Sequence, residues 1–342
     1  MVFPARSAFY TILVAVLIYL LCFQATQSKW FIANLLKVAS SSPSSPTKII
    51  DITFTDHVFD FPEFYQFTDL DMVILDKKTR ARIEVKADEV NLSCTNCITR
   101  KGMTADIDVN NLSLHKRNEL SASGIFFDMK ARGESYRYWR GEGDLRMDHV
   151  DLSGLVLKEF KASILNKGPR WQIRDLWTRA SGGILKGEIF LESTENLAYS
   201  MGMQFVDIDV DAMGGNMRGL KANVHGIFDG FVELKGLDRR LNKISGRFVA
   251  TENGEVHSRL IGYLMSYLPG SAVAKELDGL IKANAFVPLE EFEMTFANVT
   301  SSSLSTTTKM YSSQYGLDAN LDININLGTD ILNLMTLMKG KK

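Results

Sequence analysis

The stretch "LDANLDININL", Leu317–Leu327, decides the fold class. Leu317, Ala319, Leu321, Ile323, Ile325 and Leu327 take every second position, and Asp318, Asn320, Asp322, Asn324 and Asn326 fill the places between. An extended chain turns successive side chains to opposite sides, so this is a long strand with one apolar and one wet face. The same period recurs upstream. "FVDIDVDAM" sets Val206, Ile208, Val210 and Ala212 against Asp207, Asp209 and Asp211. "LKGEIFL" (Leu185–Leu191) and "FEMTFANV" (Phe292–Val299) are shorter versions, and "KANVHGIFDGFVEL" (Lys221–Leu234) is a looser one. Breaks at "SGG" (Ser181–Gly183), "MGG" (Met213–Gly215) and "ARGES" (Ala131–Ser135) separate such runs, as between successive hairpins. Strand follows strand without an intervening helix, which implies a mainly β chain built on a long antiparallel sheet.

Helical spacing is confined to the later part. "SGRFVATENGEV" (Ser245–Val256) reads as a strand ended by a positive-φ turn at Asn253-Gly254. In "HSRLIGYLMSYLP" (His257–Pro269), Leu260, Ile261, Leu264, Met265, Tyr267 and Leu268 recur at helical spacing and stop at the proline. Val273, Leu277, Leu280 and Ile281 mark a second amphipathic helix ending near Asn284, and "TDILNLMTLM" a third, with Thr329 as its N-cap. Few helices are then available to cover a wide apolar sheet face. A two-sheet sandwich would bury that face, whereas one curved, taco-like sheet would leave it lining a groove. Periodicity does not separate the two.

The N-terminus carries a different signal. Between Arg6 and Lys29 the run "SAFYTILVAVLIYLLCFQATQS" (Ser7–Ser28) holds no charge. Its densest part, Ala8 to Phe23, reaches with its flanks about 20 residues, the length that crosses a hydrocarbon core. A secretory signal cleaved near Thr26 or Ser28 is the alternative; the lack of an Ala-x-Ala site favours an uncleaved anchor, oriented N-terminus-inside by Arg6. Leu20 and Leu21 precede Cys22 where a lipoprotein signal needs small residues, so Cys22 reads as an apolar residue of the span. "KWFIANLL" (Lys29–Leu36) suits the membrane interface, with Trp30 and Lys29 at headgroup level. "ASSSPSSPT" (Ala39–Thr47) reads as a linker. The expected division is an anchor over 1–28, an interfacial segment and linker over 29–47, and an exported β-rich domain over 48–342.

Chemistry-bearing patterns are sparse. The 39 Lys and Arg against 40 Asp and Glu are scattered, which removes the electrostatic footprint of a nucleic-acid binder. In "CTNC", Cys94 and Cys97 read as a local disulfide in an exported chain, with free thiols or redox and metal chemistry as alternatives. His57, His115, His149, His225 and His257 are isolated in sequence, so no zinc ligand set emerges. Asp207, Asp209 and Asp211 share a strand face without a loop to wrap an ion, and Glu290, Glu291 and Glu293 read as a charged loop. Asn91, Asn111 and Asn298 open sequons that carry no weight without a glycosylating source. There is no nucleophile elbow, Walker loop or dinucleotide fingerprint. No metal, cofactor or catalytic residue is expected, and an enzyme is disfavoured.

"LKGLDRRLNKISGRFVATENGEV" (Leu234–Val256), the helical stretch after it, "FEMTFANVTSSSLSTTT" (Phe292–Thr308) and "YGLDANLDININLG" (Tyr315–Gly328) together resemble the C-terminal region of AsmA-like proteins. These belong with the TamB-like and YhdP-like proteins of the Gram-negative envelope. The resemblance covers roughly Leu234 to Leu337 and lies in the order of elements; the middle of the chain is similar only in style. Many members are far longer. The resemblance implies a curved, groove-like sheet anchored in the inner membrane by one span, facing the periplasm, and concerned with phospholipid transfer or outer-membrane maintenance. On that basis Val206, Ile208, Val210, Leu317, Leu321, Ile323 and Ile325 are candidate groove lining for acyl chains. Leu260, Ile261, Leu264 and Leu268 are the candidate helical cap. Other envelope proteins are expected partners. The alternative is a structural or assembly component resembling the N protein of type II secretion, with its apolar faces fully buried. A hydrolase is a third reading, without convergent polar residues to support it.

Overall fold

The structure, a computed structural model, describes residues 28–41, 45, 47–60, 63–77, 79–96, 102–117, 120–135, 138–152, 155–194, 196–213, 222–238, 240–265, 284–300 and 303–326. The expected span over 1–28 lies outside these apart from Ser28, as do the second and third helices apart from Asn284. No helix among the described residues is long and apolar enough to cross a membrane. The chain divides into two compact units, Met1–Arg137 and Tyr138–Lys342.

The first unit opens with α1 (Lys29–Ser40), followed by β1 (Thr47–Thr53), β2 (Asp56–Asp60), β3 (Phe64–Asp76), β4 (Arg82–Thr95), β5 (Met103–Lys116) and β6 (Leu120–Ser135). All pairings are antiparallel. β1 and β2 lie end to end along one edge of β3, and β4, β5 and β6 follow in order. Apolar residues of neighbouring strands meet on one face, as in Phe67 opposite Val90 opposite Val109. At one level, however, the alternation slips by a residue in four adjacent strands, where Phe67 gives way to Leu70, Ala87 to Val90, Val109 to Leu112 and Ala122 to Ile125. Asp69 (φ 50°), Asn111 (φ 51°) and Gly124 (φ 61°) adopt left-handed backbone there, a conformation Asp, Asn and Gly reach most readily. Asn111 Nδ2 donates to Asp88 Oδ2 across the same level at 2.8 Å. β3, β4 and β5 slip together and keep register, while β5 and β6 shift against each other at Val109–Leu114, so one face stays apolar on both sides of this row.

The second unit contains β7 (Tyr138–Leu152), β8 (Leu155–Lys167), β9 (Arg170–Ala180), β10 (Gly183–Ser193), β11 (Leu197–Asp209), β12 (Val224–Leu237) and β13 (Arg240–His257). These are followed by α2 (Ser258–Met265), β14 (Phe286–Leu289), β15 (Glu291–Thr300), β16 (Ser303–Ser312) and β17 (Leu317–Asn326). Each strand from β7 to β13 pairs antiparallel with the next, β14 and β15 share one edge of β13, and β16 and β17 complete the order. The "SGG" break is a two-residue turn, Ser181 (φ 47°) and Gly182 (φ 83°), between paired Ala180 and Gly183. The mainly β, antiparallel reading therefore holds for both units.

Four expectations are corrected. Asn253-Gly254 is not a turn, because β13 runs through it, with Glu252 opposite Ile227 and Gly254 opposite Leu289. Pairing on both edges overrides the local turn preference. A Cβ on Gly254 would stand 2.7 Å from the Ala250 Cβ, so glycine is needed where the strand bends between its partners β15 and β14. "FVDIDVDAM" is not one alternating strand. β11 bulges at Asp207 (φ 54°) and ends at Asp209, and Val210–Ala212 form a 3-10 turn. "ARGES" lies within β6. Finally, Ala39 and Ser40 belong to α1 and not to a linker, and α1 packs against the sheet. Ile32 is buried in a cluster with Ile52, Phe54, Phe67, Leu70 and Ala87, with Ala33 and Leu36 beside it.

Candidate functional site

The site follows from the registers of the second unit. One row across seven strands reads Gly187, Met203, Val232, Gly246, Phe296, Thr306, Ile323, and the next reads Leu185, Phe205, Gly230, Phe248, Met294, Thr308, Leu321. Paired residues point to the same side of a sheet, so these rows form one apolar floor. Its glycines are placed by packing. A Cβ on Gly187 would lie 2.6 Å from Met203 Sδ, on Gly230 2.8 Å from Phe248 Cδ1, and on Gly246 2.4 Å from Phe296 Cζ, each also colliding with a carbonyl oxygen. The large side chain beside each glycine occupies that space. Phe205, Phe248 and Phe296 run diagonally across the floor with successive ring centroids 5.8 Å apart, the second pair stacked.

The floor is not uniformly covered. Met203, Phe205, Val232, Phe248, Met294 and Phe296 are half-buried. At the β16–β17 end, Met310, Leu317, Ala319, Leu321 and Ile323 are buried in a cluster that includes Ile261, with Leu260 packed against it. That end also contains hydroxyls. Thr306, Thr308 and Ser312 of β16, and Ser258 at the start of α2, are almost fully buried and their hydroxyl oxygens have no hydrogen-bond partner. Buried hydroxyls of this kind can be satisfied by an internal water.

The opposite face is mainly polar, although Phe231, in register with Gln204 and Arg247, lies exposed on it. Lys243 pairs with Glu233 at 2.9 Å, Arg247 with Glu293 at 2.8 Å, and Thr307 Oγ1 donates to Asp322 at 2.7 Å. The hydrogen bonds from Lys243 and Arg247 hold the Glu233 and Glu293 carboxyls below the usual carboxylate range. A depression of about 560 Å³ on this side, bordered by Lys186, Glu188, Gln204 and Arg247, lies over Gly202, where no side chain fills the space. It brings mixed charges together without a converging acid and base.

Of the sequence-derived lining, Leu317, Leu321 and Ile323 lie on the floor at its covered end. Ile325 is in register with Leu304 in the next row. Val206 and Ile208 do not share a face, because the bulge at Asp207 separates them. Ile208 pairs with Phe228 on the floor, Val206 turns to the other side, and Val210 is buried in the 3-10 turn. Among the cap residues, Leu264 lies in α2 and Leu268 falls outside the described residues. Cys94 is disulfide-bonded, and Cys97 falls outside them. Asp209 and Asp211 are local fasteners. Asp209 accepts from the Asp211 amide at 2.8 Å, and Asp211 holds His225 and the Gly226 amide. No group of three or more metal-ligating side chains occurs among the described residues.

The sequence reading missed the half-open aromatic floor and one histidine cluster. His225 and His257, 32 positions apart, flank Phe286 with ring centroids 4.1 and 4.9 Å from it. His257 Nδ1 accepts from the Arg259 amide, and burial first, then Arg259 and His225, pull its pKa down. For the floor the available signal was glycine next to Phe or Met on paired strands, which becomes visible only with the register. No protein-family model, curated protein or solved structure matches the chain.

Proposed function

We propose that this is a membrane-anchored envelope protein that binds phospholipid through its acyl chains on the apolar floor, and that it serves lipid transfer or outer-membrane maintenance as an AsmA-like protein. It would be held in the inner membrane by residues 1–28, with the bulk of the chain in the periplasm. The observation that carries the reading is the half-buried floor itself. Apolar side chains from seven paired strands lie on one side, and those in the middle stay accessible although they are the kind a core would bury. Burial of hydrocarbon at about 0.8 kcal/mol per methylene suffices to hold an acyl chain without any chemistry. The role asks for no catalytic group or cofactor.

The test is lipid content. Full-length protein extracted in mild detergent should carry phospholipid detectable by mass spectrometry, and Met203→Asp and Phe296→Asp should lose it while keeping the wild-type circular dichroism spectrum. Folded, lipid-free wild-type protein would favour the assembly-component reading instead.

A further inference from the structure

α1 has two apolar sides, and the sheet accounts for only one. Inward, Ile32 is 1% exposed among the residues of the first unit's apolar face, with Ala33 and Leu36 beside it. Outward, Trp30 is 75% exposed, Phe31 37%, Leu35 47% and Val38 72%. At 100° per residue these four and Asn34 occupy one continuous arc of the helix. Asn34 turns its amide back to the Trp30 carbonyl at 2.8 Å, which leaves little polar character on that arc. Both lysines of the helix are drawn to the sheet. Lys37 pairs with Asp51 at 3.0 Å, and Lys29 donates to the Thr55 carbonyl. Ser40 Oγ accepts from the Ile49 amide at 2.9 Å. The helix is therefore fixed in rotation, with a bare apolar arc directed away from the protein.

The chain before it says what covers that arc. The 22 uncharged residues Ser7–Ser28 end at Ser28, the N-cap of α1, whose backbone is extended (φ −84°, ψ 118°) and whose side chain faces the Phe31 amide. No residue separates run and cap, so on the anchor reading α1 begins where the span would leave the hydrocarbon. An apolar arc with Trp at its first turn, and no outward charge, suits the boundary between headgroups and acyl chains. We infer that α1 is an interfacial foot. Its outer arc of Trp30, Phe31, Leu35 and Val38 inserts into the bilayer surface while Ile32, Lys37 and Ser40 bolt it to β1, so that the apolar face of the first unit is held at the membrane where lipid would enter or leave. The inference rests on the anchor reading of residues 1–28 and adds a second, orienting contact.

The test uses the full chain reconstituted in phosphatidylethanolamine and phosphatidylglycerol vesicles, with a benzoylphenylalanine photo-crosslinker at position 35 or 38. The control position is 58, since Val58 is an exposed apolar residue of β2 at 46%. The expected result is co-flotation of all three proteins, with lipid adducts at 35 and 38 well above those at 58 and unchanged thermal unfolding. Flotation without that excess, or adducts only to a second copy of the chain, overturns the foot and leaves the anchor standing. Failure to float overturns both. Lipid on the floor of the second unit is read separately, from the Met203 and Phe296 variants.

Discussion

The middle of the second unit's floor and its β16–β17 end are built from the same alternating pattern, yet they differ in cover. Met203, Phe248 and Phe296 are half-open; Leu321, Ile323 and Met310 are sealed in a cluster with Ile261 of α2. Alternation specifies a face, and what lies over that face is a separate property. The sealed end is core, where a substitution acts on stability. The open middle is surface, where it acts on what the surface holds.

Substitutions break this contrast in graded steps. Leu321→Ala removes a side chain that is 2% exposed and should cost about 2–5 kcal/mol in denaturant unfolding, as for other buried leucines. A loss far below that would show the end to be open. Gly230→Val puts atoms where a Cβ already meets the Arg247 carbonyl oxygen at 2.3 Å. It should cost about 1–3 kcal/mol through overpacking and loosen Phe248, read as a fall in melting temperature. Phe248→Ala, on the half-open floor, should cost only about 1–2 kcal/mol while removing most of the bound lipid seen by mass spectrometry. The reverse pattern, large destabilisation with lipid retained, would reassign the floor to the core.

The smallest effect concerns α2. Burial lowers the His257 pKa from its ordinary 6.5, so the folded chain binds that proton less readily than the unfolded one. Stability from this site is full above pH 6.5 and is lost as pH falls through the depressed value. His225 and Asp211, Arg259 of α2 and Glu255 in its own strand are the charged or titratable neighbours named by pairing and contact. His257→Gln should flatten the decline in melting temperature between pH about 7 and about 5. An unchanged slope would place the acid sensitivity elsewhere.

Much of the sheet was legible in the sequence and much of the site was not. β10 and β17 alternate without interruption, and α2 begins where the spacing of Leu260 and Ile261 places it. The slips of face were hidden because Asp69, Asn111 and Asp207 look like ordinary wet-face residues while the faces shift by one at their positive φ. That shift moved Val206 off the floor. Asn253-Gly254 misled because turn preference is local and the two neighbouring strands are not. α1 was masked by the Ser/Pro composition beyond it, although Ser40 is one of its fasteners. The aromatic floor was missed because glycine interrupts a hydrophobic count at the very places where Phe248 and Phe296 fill the space.

The central claim, that one side of this sheet holds lipid, is tested most directly by comparing two adjacent residues. Phe248 faces the floor, and Arg247 faces the other side in its ion pair with Glu293. A photo-crosslinker in place of Phe248, activated in intact membranes, should capture phospholipid, and the same group at position 247 should not. Equal capture at both positions, or none at 248 in a folded protein, would contradict the account.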